Sequence, residues 1–187
     1  MNNRNIALVL LIVLAISTRL IPHYPNFTAV GAAAIFGGAM FKNSFKAFLI
    51  PIAALFLSDI ILNNIVYSAY KTSPGFQWFT EGFVFMYVGF TLSVLIGRLN
   101  IKSFKVLPIL GSVVLSTLAF FLISNLGSWL SNPMYAKTFS GLMLAYENGI
   151  PYILNELKST ALYSSVLFGG AYILSVAGFK LIPQRAS

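Results

Sequence analysis

The run VLPILGSVVLSTLAFFLISNLGSWL, residues 106–130, is 25 residues long and has no charged side chain. A helix that crosses a membrane needs about 20 mostly apolar residues, so this run predicts a membrane-spanning helix. The predicted spans are approximately residues 6–21, 27–41, 45–67, 82–99, 106–130 and 161–182. None alternates with the two-residue period of a membrane barrel. We therefore predict an all-α integral membrane bundle of six transmembrane helices, a single domain over residues 1–187.

The composition of the chain excludes several other classes of protein. Of the 187 residues, 58% are hydrophobic and 9% are charged, whereas a soluble domain has about 45–50% apolar and about 25% charged residues. A disordered chain needs lower hydrophobicity. The net charge of +8 is dispersed among apolar runs, so it forms no basic patch and we expect no nucleic-acid partner. The absence of cysteine from the sequence excludes disulfides and thiolate chemistry.

The N-terminus allows a second interpretation. A polar start at residues 2–4, an apolar run and the sequence Ala15-Ile16-Ser17 resemble a cleaved signal peptide. Against this, Arg19 and a turn with two prolines follow directly. The short second span would also lose the helix with which it forms a hairpin. We therefore expect the first span to remain as a transmembrane helix.

The charged residues divide unequally between the two sides of the predicted bundle. With six spans, both termini and the second and fourth connections share one side, whose net charge is +8: Arg4, Lys42, Lys46, Arg98, Lys102, Lys105, Lys180 and Arg185. The other side is neutral, with Arg19, Lys71, Lys137 and Lys158 against Asp59, Glu81, Glu147 and Glu156. Because Lys and Arg in short loops stay in the cytoplasm, we expect both termini there.

Polar side chains gather at the outer ends of the predicted helices, where they are candidates for ligand binding. A polar group in hydrocarbon is costly, so its position is informative. The predicted substrate-binding residues are Arg19, His23, Asn26, Asp59, Asn63, Trp78, Asn125, Trp129, Tyr146, Tyr152 and Asn155. Arg19 and Asp59 are the deepest base and acid. They either contact a ligand or form a structural ion pair, and the sequence leaves both roles open.

Little in the sequence indicates catalysis, a cofactor or a metal. His23 is the single histidine and no cysteine is present, so the clustered ligands that a metal needs are missing. No phosphate-binding loop of the Gly-x-x-x-x-Gly-Lys-Ser/Thr type occurs. We predict no metal, no cofactor and no enzymatic activity. An intramembrane enzyme using Asp59 and His23 is the weaker alternative.

The connection between the fifth and sixth spans, residues 131–159, carries an apolar stripe. Phe139, Leu142 and Tyr146 recur at helical spacing before a break at Gly149 and Pro151. We predict two short amphipathic helices, hinged at this break, that form a lid over the outer mouth of the bundle. An ordinary interfacial helix pair without moving parts is the alternative.

Several motifs follow one another in an order found in a family of small, uncharacterised bacterial membrane proteins. They are RLIPHYPNFT (residues 19–28), SD (58–59), SNLGSW (124–129), YAKTFSGL (135–142) and IPY (150–152). The chain resembles this family over nearly its whole length. The family in turn is similar to the substrate-binding S components of energy-coupling factor (ECF) vitamin transporters, six-helix proteins of the bacterial cytoplasmic membrane.

This resemblance implies a function. S components bind a vitamin or a related cofactor precursor on the outer side of the membrane and work with a T subunit and paired ATPases. Their usual Ala-x-x-x-Ala docking pattern is missing from the first span, which has only Ala7 and Ala15, so the sequence leaves open whether the protein works with a T subunit and ATPases or acts alone. We therefore expect a membrane-embedded subunit that binds a small-molecule ligand for uptake. The alternative is a small structural or assembly membrane protein without a transported ligand.

Overall fold

The structure, a computed structural model, describes residues 3–68, 75–80, 82–179 and 181–183. Within these ranges the chain forms six α-helices and no strand. They are α1 (Asn3–Ser17), α2 (Val30–Met40), α3 (Ser44–Ile61), α4 (Phe83–Asn100), α5 (Val106–Ser131) and α6 (Phe139–Leu174). The predicted all-α class is confirmed. Four charged residues that the sequence assigned to a side, Lys71, Glu81, Lys180 and Arg185, lie outside the described residues.

Four helices begin and end close to their predicted spans: α1, α3, α4 and α5. A 3₁₀ turn at Thr18–Leu20 extends α1, and a π-helical segment at Leu62–Val66 extends α3. The start of α3 is capped, because the Asn43 side chain accepts a hydrogen bond from the backbone N–H of Lys46 at 3.0 Å. In these regions the apolar runs and polar breaks predicted the elements correctly.

The predicted break at Gly149 and Pro151 is wrong, because α6 runs through both residues without interruption. The two short hinged helices and residues 161–174 of the predicted sixth span form one helix of 36 residues, and a π-helical segment at Ser175–Phe179 follows it. Pro151 lacks the N–H that would bond to the carbonyl of Glu147, but both residues are exposed, so the lost hydrogen bond occurs at the surface and not in the core. Gly149 packs against Asn125 of α5 and does not end the helix.

The second helix is shorter than its predicted span and lies at the centre of the bundle. Residues 27–29 precede α2, whose 11 residues are all buried and extend for about 16 Å. Helix α2 is therefore too short to cross a hydrocarbon core of about 30 Å. Small residues allow α4 to approach closely: a Cβ at Gly38 would clash with the Val94 carbonyl oxygen, and one at Gly97 with that of Ile35.

Two arginines close the C-terminal end of α2. Arg98 donates hydrogen bonds to the carbonyl oxygens of Phe41, at 3.1 Å, and Lys42, at 3.3 Å. Arg4 of α1 donates to the carbonyl oxygen of Met40. Cations at this end complement the negative pole of the helix dipole. They also satisfy carbonyl groups that have no partner within the helix.

The outward faces of the long helices are apolar. Leu14, Leu107 and Ile173 are 67%, 82% and 68% exposed, respectively. Such continuous apolar surface is rare on a soluble monomer and is expected where helices face lipid. Among the described residues, five helices are long and apolar enough to cross a membrane, and α2 is the shorter sixth. These helices indicate a multi-pass membrane protein.

Candidate functional site

A cavity of about 680 Å³ opens between α5 and α6, near the connection that joins them. We call it the α5–α6 cavity. It is lined by Asn26, Gly82, Met86, Thr117, Phe120, Phe121, Ser124, Asn125, Ser128, Ser131, Asn132, Tyr135, Ala145, Asn148, Gly149, Tyr152, Ile153 and Glu156. Small-molecule sites usually occupy about 300–1,000 Å³ and often lie between the helices of a bundle. The volume and position of this cavity therefore suit a small ligand.

The lining comes mainly from one face of each of the two helices. Helix α5 supplies Thr117, Phe120, Phe121, Ser124, Asn125, Ser128 and Ser131. Helix α6 supplies Ala145, Asn148, Gly149, Tyr152, Ile153 and Glu156. Steps of three, four and seven residues place side chains on one helix face. From Thr117 to Ser131 this face of α5 extends for about 21 Å.

Gly149 allows α6 to lie close to the amide of Asn125. A Cβ at position 149 would clash with the Asn125 side chain. The amide nitrogen of Asn125 in turn donates to the carbonyl oxygen of Phe121 at 2.8 Å. The close approach of Gly149 and the hydrogen bond to Phe121 hold the Asn125 amide in the wall of the cavity.

Glu156 is a buried acid in the cavity lining. It is 4% exposed, and its Oε1 accepts a hydrogen bond of 3.4 Å from Thr160. The carboxylate lies beside the first turn of α2, where a Cβ on Gly31 would be 2.9 Å from Oε1. An acid near a helix N-terminus is stabilised by the helix dipole. Glycine at position 31 provides the space that this carboxylate needs.

Thr117 supplies an unsatisfied polar group to the same cavity. Its hydroxyl is buried and has no hydrogen-bond partner among the described residues. An unpaired buried hydroxyl costs about 1–3 kcal/mol.

Arg19 and Asp59 form an ion pair outside the lining of this cavity. Arg19 Nη1 lies 2.7 Å from Asp59 Oδ1 and donates a hydrogen bond to Ser58 Oγ at 2.6 Å. The other carboxylate oxygen of Asp59 accepts a hydrogen bond from Tyr87 at 2.8 Å. Of the two roles that the sequence left open, the structure shows the ion pair directly.

Three predicted site residues lie in other environments. His23 lines a separate cavity of about 630 Å³ beside the turn after α1, and its Nδ1 is 2.9 Å from the Tyr24 carbonyl oxygen. Asn63 accepts a hydrogen bond of 3.2 Å from Thr80, and its buried amide nitrogen has no partner among the described residues. Trp78 is exposed and packs edge to face on Phe76.

Three other predicted site residues donate side-chain hydrogen bonds to backbone carbonyl oxygens. Trp129 donates to the carbonyl oxygen of Ala136 at 2.9 Å, and Tyr146 to that of Leu122 at 2.9 Å. Asn155 donates to the carbonyl oxygen of Pro25 at 3.0 Å. The remaining predictions, Asn26, Asn125 and Tyr152, all line the α5–α6 cavity.

Sequence reasoning omitted several lining residues from the predicted site: Thr117, Ser124, Ser128, Tyr135, Asn148 and Glu156. The polar stripe of α5 was a usable signal, since Thr117, Ser124, Ser128 and Ser131 follow helical spacing in an apolar run. The predicted hinge at Gly149 and Pro151 placed Glu156 on a different helix from Ala145, so the sequence did not indicate that the two share a face. Only a continuous α6 places Glu156 on the same face as Ala145, Gly149 and Tyr152.

Comparison with protein families assigns the chain to a family but does not give it an activity. A model described as a family of unknown function, DUF6580, matches residues 1–182. The chain therefore belongs to this family, which covers nearly its whole length. No curated protein and no solved structure matches the chain.

Proposed function

We propose that this protein is the substrate-binding membrane subunit of an uptake system for a vitamin or related cofactor precursor. In this role it resembles the S components of ECF transporters. The observation that carries the proposal is the α5–α6 cavity of about 680 Å³. A protein that only seals a bundle has no need for a cavity of this size with hydroxyl and amide groups in its walls.

The chemistry of the lining supports recognition of a polar, partly aromatic molecule. Ser124 and Ser128 offer hydroxyls, and Asn125 and Asn148 offer amides, which can both donate and accept hydrogen bonds. Phe120 supplies an apolar surface next to them. A few polar groups set among apolar and aromatic side chains are typical of small-molecule sites.

The proposed topology has six helices in the bacterial cytoplasmic membrane, with both termini in the cytoplasm. The loop before α2 and α2 itself together return the chain to the end at which α1 begins, where Arg4 contacts Met40. Basic residues support this orientation, since Arg4 and Arg98 meet at the same end of α2 and the next connection carries Lys102 and Lys105. The positive-inside rule assigns such an end to the cytoplasm. The α5–α6 cavity, which lies toward the opposite end, then opens to the outside.

A cover over the cavity is also part of the proposal. The connection of residues 132–138 and the first turns of α6 supply Asn132, Tyr135 and Asn148 to the lining. Lys137 holds this connection to α5 by donating to the carbonyl oxygen of Trp129. Opening of this segment would admit a ligand. Since the sequence has no phosphate-binding loop, ATP-driven release requires a partner such as a T subunit with its ATPases.

Native mass spectrometry of the purified protein tests the proposal. We expect a small molecule to copurify, and a panel of vitamins to contain a compound that raises the Tm. Ser124→Phe fills the cavity and should remove both effects. Leu118→Phe, on the exposed face of α5, is the matched control and should retain them. An empty protein whose Tm no vitamin changes would instead favour the structural or assembly role.

A further inference from the structure

We infer that the substrate of the α5–α6 cavity is a small organic cation, for which the Glu156 carboxylate supplies the counter-charge. The inference rests on the proposed function and specifies its substrate class. Ammonium, amidinium and protonated nitrogen heterocycles share the required chemistry, a positive charge together with N–H donors.

The charges in the lining point to a cation. Among the described residues that line the cavity, Glu156 is the one carboxylate, and none is a lysine, arginine or histidine. A carboxylate or phosphate ligand would therefore meet no basic partner. A cation would donate a charge-assisted hydrogen bond to Glu156, and such bonds are about twice as strong as neutral ones.

The neighbouring arginine does not neutralise Glu156 by direct contact. Arg19 Nη1 contacts Ser58 and Asp59, whereas Glu156 Oε1 accepts its hydrogen bond from Thr160. Arg19 and Asp59 cancel each other, so an ionised Glu156 leaves this region with one negative charge. Buried charge of one sign is costly until an opposite charge pairs with it. A cationic ligand supplies that charge.

Two other features of the lining fit the same class of ligand. Four aromatic residues, Phe120, Phe121, Tyr135 and Tyr152, line the cavity, and aromatic faces attract ammonium and guanidinium groups. Ser124 and Ser128 of the lining have hydroxyls that can accept an N–H of such a group. Glu156, these serines and the aromatic residues therefore offer an amidinium or aminoheterocycle a charge, an acceptor and a stacking surface.

Three probes of nearly equal shape test the inference on the full chain in dodecyl maltoside micelles. Benzamidine is cationic, benzamide is neutral and benzoate is anionic. We expect benzamidine to raise the Tm most, benzamide less, and benzoate not at all. Glu156→Gln keeps the shape of the side chain but removes its charge, so it should eliminate the advantage of benzamidine over benzamide. Glu147→Gln, an exposed acid on the same helix, should preserve that advantage.

The outcomes separate this inference from the proposed function. If benzamide stabilises as well as benzamidine and Ser124→Phe abolishes both effects, the cavity binds ligands but the cation preference is refuted. Stabilisation by benzoate, or an unchanged benzamidine preference in Glu156→Gln, refutes it as well. A copurified ligand without a cationic group has the same consequence.

If no probe binds and no ligand copurifies, the proposed function fails together with the inference. A copurified phosphatidylethanolamine, identified by its mass, would show that a lipid and not a small organic cation occupies the cavity, and would refute the inference.

Discussion

Arg19 and Asp59 lie 2.7 Å apart and join the turn that follows α1 to the end of α3. The Asp59 side chain is 4% exposed and that of Arg19 is 15% exposed. Both residues are therefore largely removed from solvent and depend on each other for charge compensation. Their contact also places the loop that leads into α2, so it supports the fold next to the α5–α6 cavity.

Removal of one member of this pair should destabilise the protein more than removal of both. We expect Arg19→Gln to lower the free energy of unfolding by about 3 kcal/mol, because it leaves a buried carboxylate without its cation. The double variant with Asp59→Asn should lose less than the sum of the single variants. Titration with sodium dodecyl sulfate in mixed micelles measures these values. Additive losses, or an equal loss in the exposed Lys158→Gln control, would contradict the role of the pair.

The hydrogen bond from Tyr87 to Asp59 makes a separate contribution. Tyr87→Phe removes a donor to a charged acceptor at 2.8 Å and should lower the free energy of unfolding by about 1.5 kcal/mol. The same unfolding titration measures the loss. Tyr24→Phe is a suitable control because Tyr24 is exposed, and its stability should not change. An unaffected Tyr87→Phe variant would show that the phenol does not support the pair.

Glycines of the central helix should differ sharply from glycines at the periphery. A Cβ at Gly38 would overlap the Val94 carbonyl oxygen, so Gly38→Ala must push α2 and α4 apart and should cost about 1–3 kcal/mol. Gly170, which is also helical, has no atom within 4 Å of such a Cβ. Gly170→Ala should leave the Tm unchanged or raise it. Equal Tm values for the two variants would refute the close packing of α2 on α4.

The long uninterrupted spans were predictable because their signal is local. Residues 106–130 contain no charge, and the hydrocarbon thickness alone requires a helix of about this length. The interruption expected at Pro151 was wrong for a reason that the sequence does not show. A proline ends a helix when its lost hydrogen bond and its ring cannot be accommodated. Pro51 within α3 and Pro151 within α6 are both accommodated.

The composition of the candidate site was less predictable because it depends on contacts between helices. The polar spacing on α5 indicates a face but does not show which helix covers it. Asn125 and Gly149 meet across α5 and α6, and this contact fixes the relative position of the two helices. Once α6 is continuous, Glu156 lies on the lining face of α6 and shares the cavity lining with Thr117.

The absence of cysteine from the sequence allows a background-free test of the proposed topology. Met134 lies in the connection between α5 and α6, and Ser103 in the connection between α4 and α5. If the positive end of the bundle faces the cytoplasm, Met134→Cys should react with a membrane-impermeant maleimide on intact cells. Ser103→Cys should react only after the cells are permeabilised. Reaction of both variants on intact cells would contradict an uninterrupted crossing by α5. The reverse pattern would place the α5–α6 cavity on the cytoplasmic side and exclude its role in capturing an external substrate.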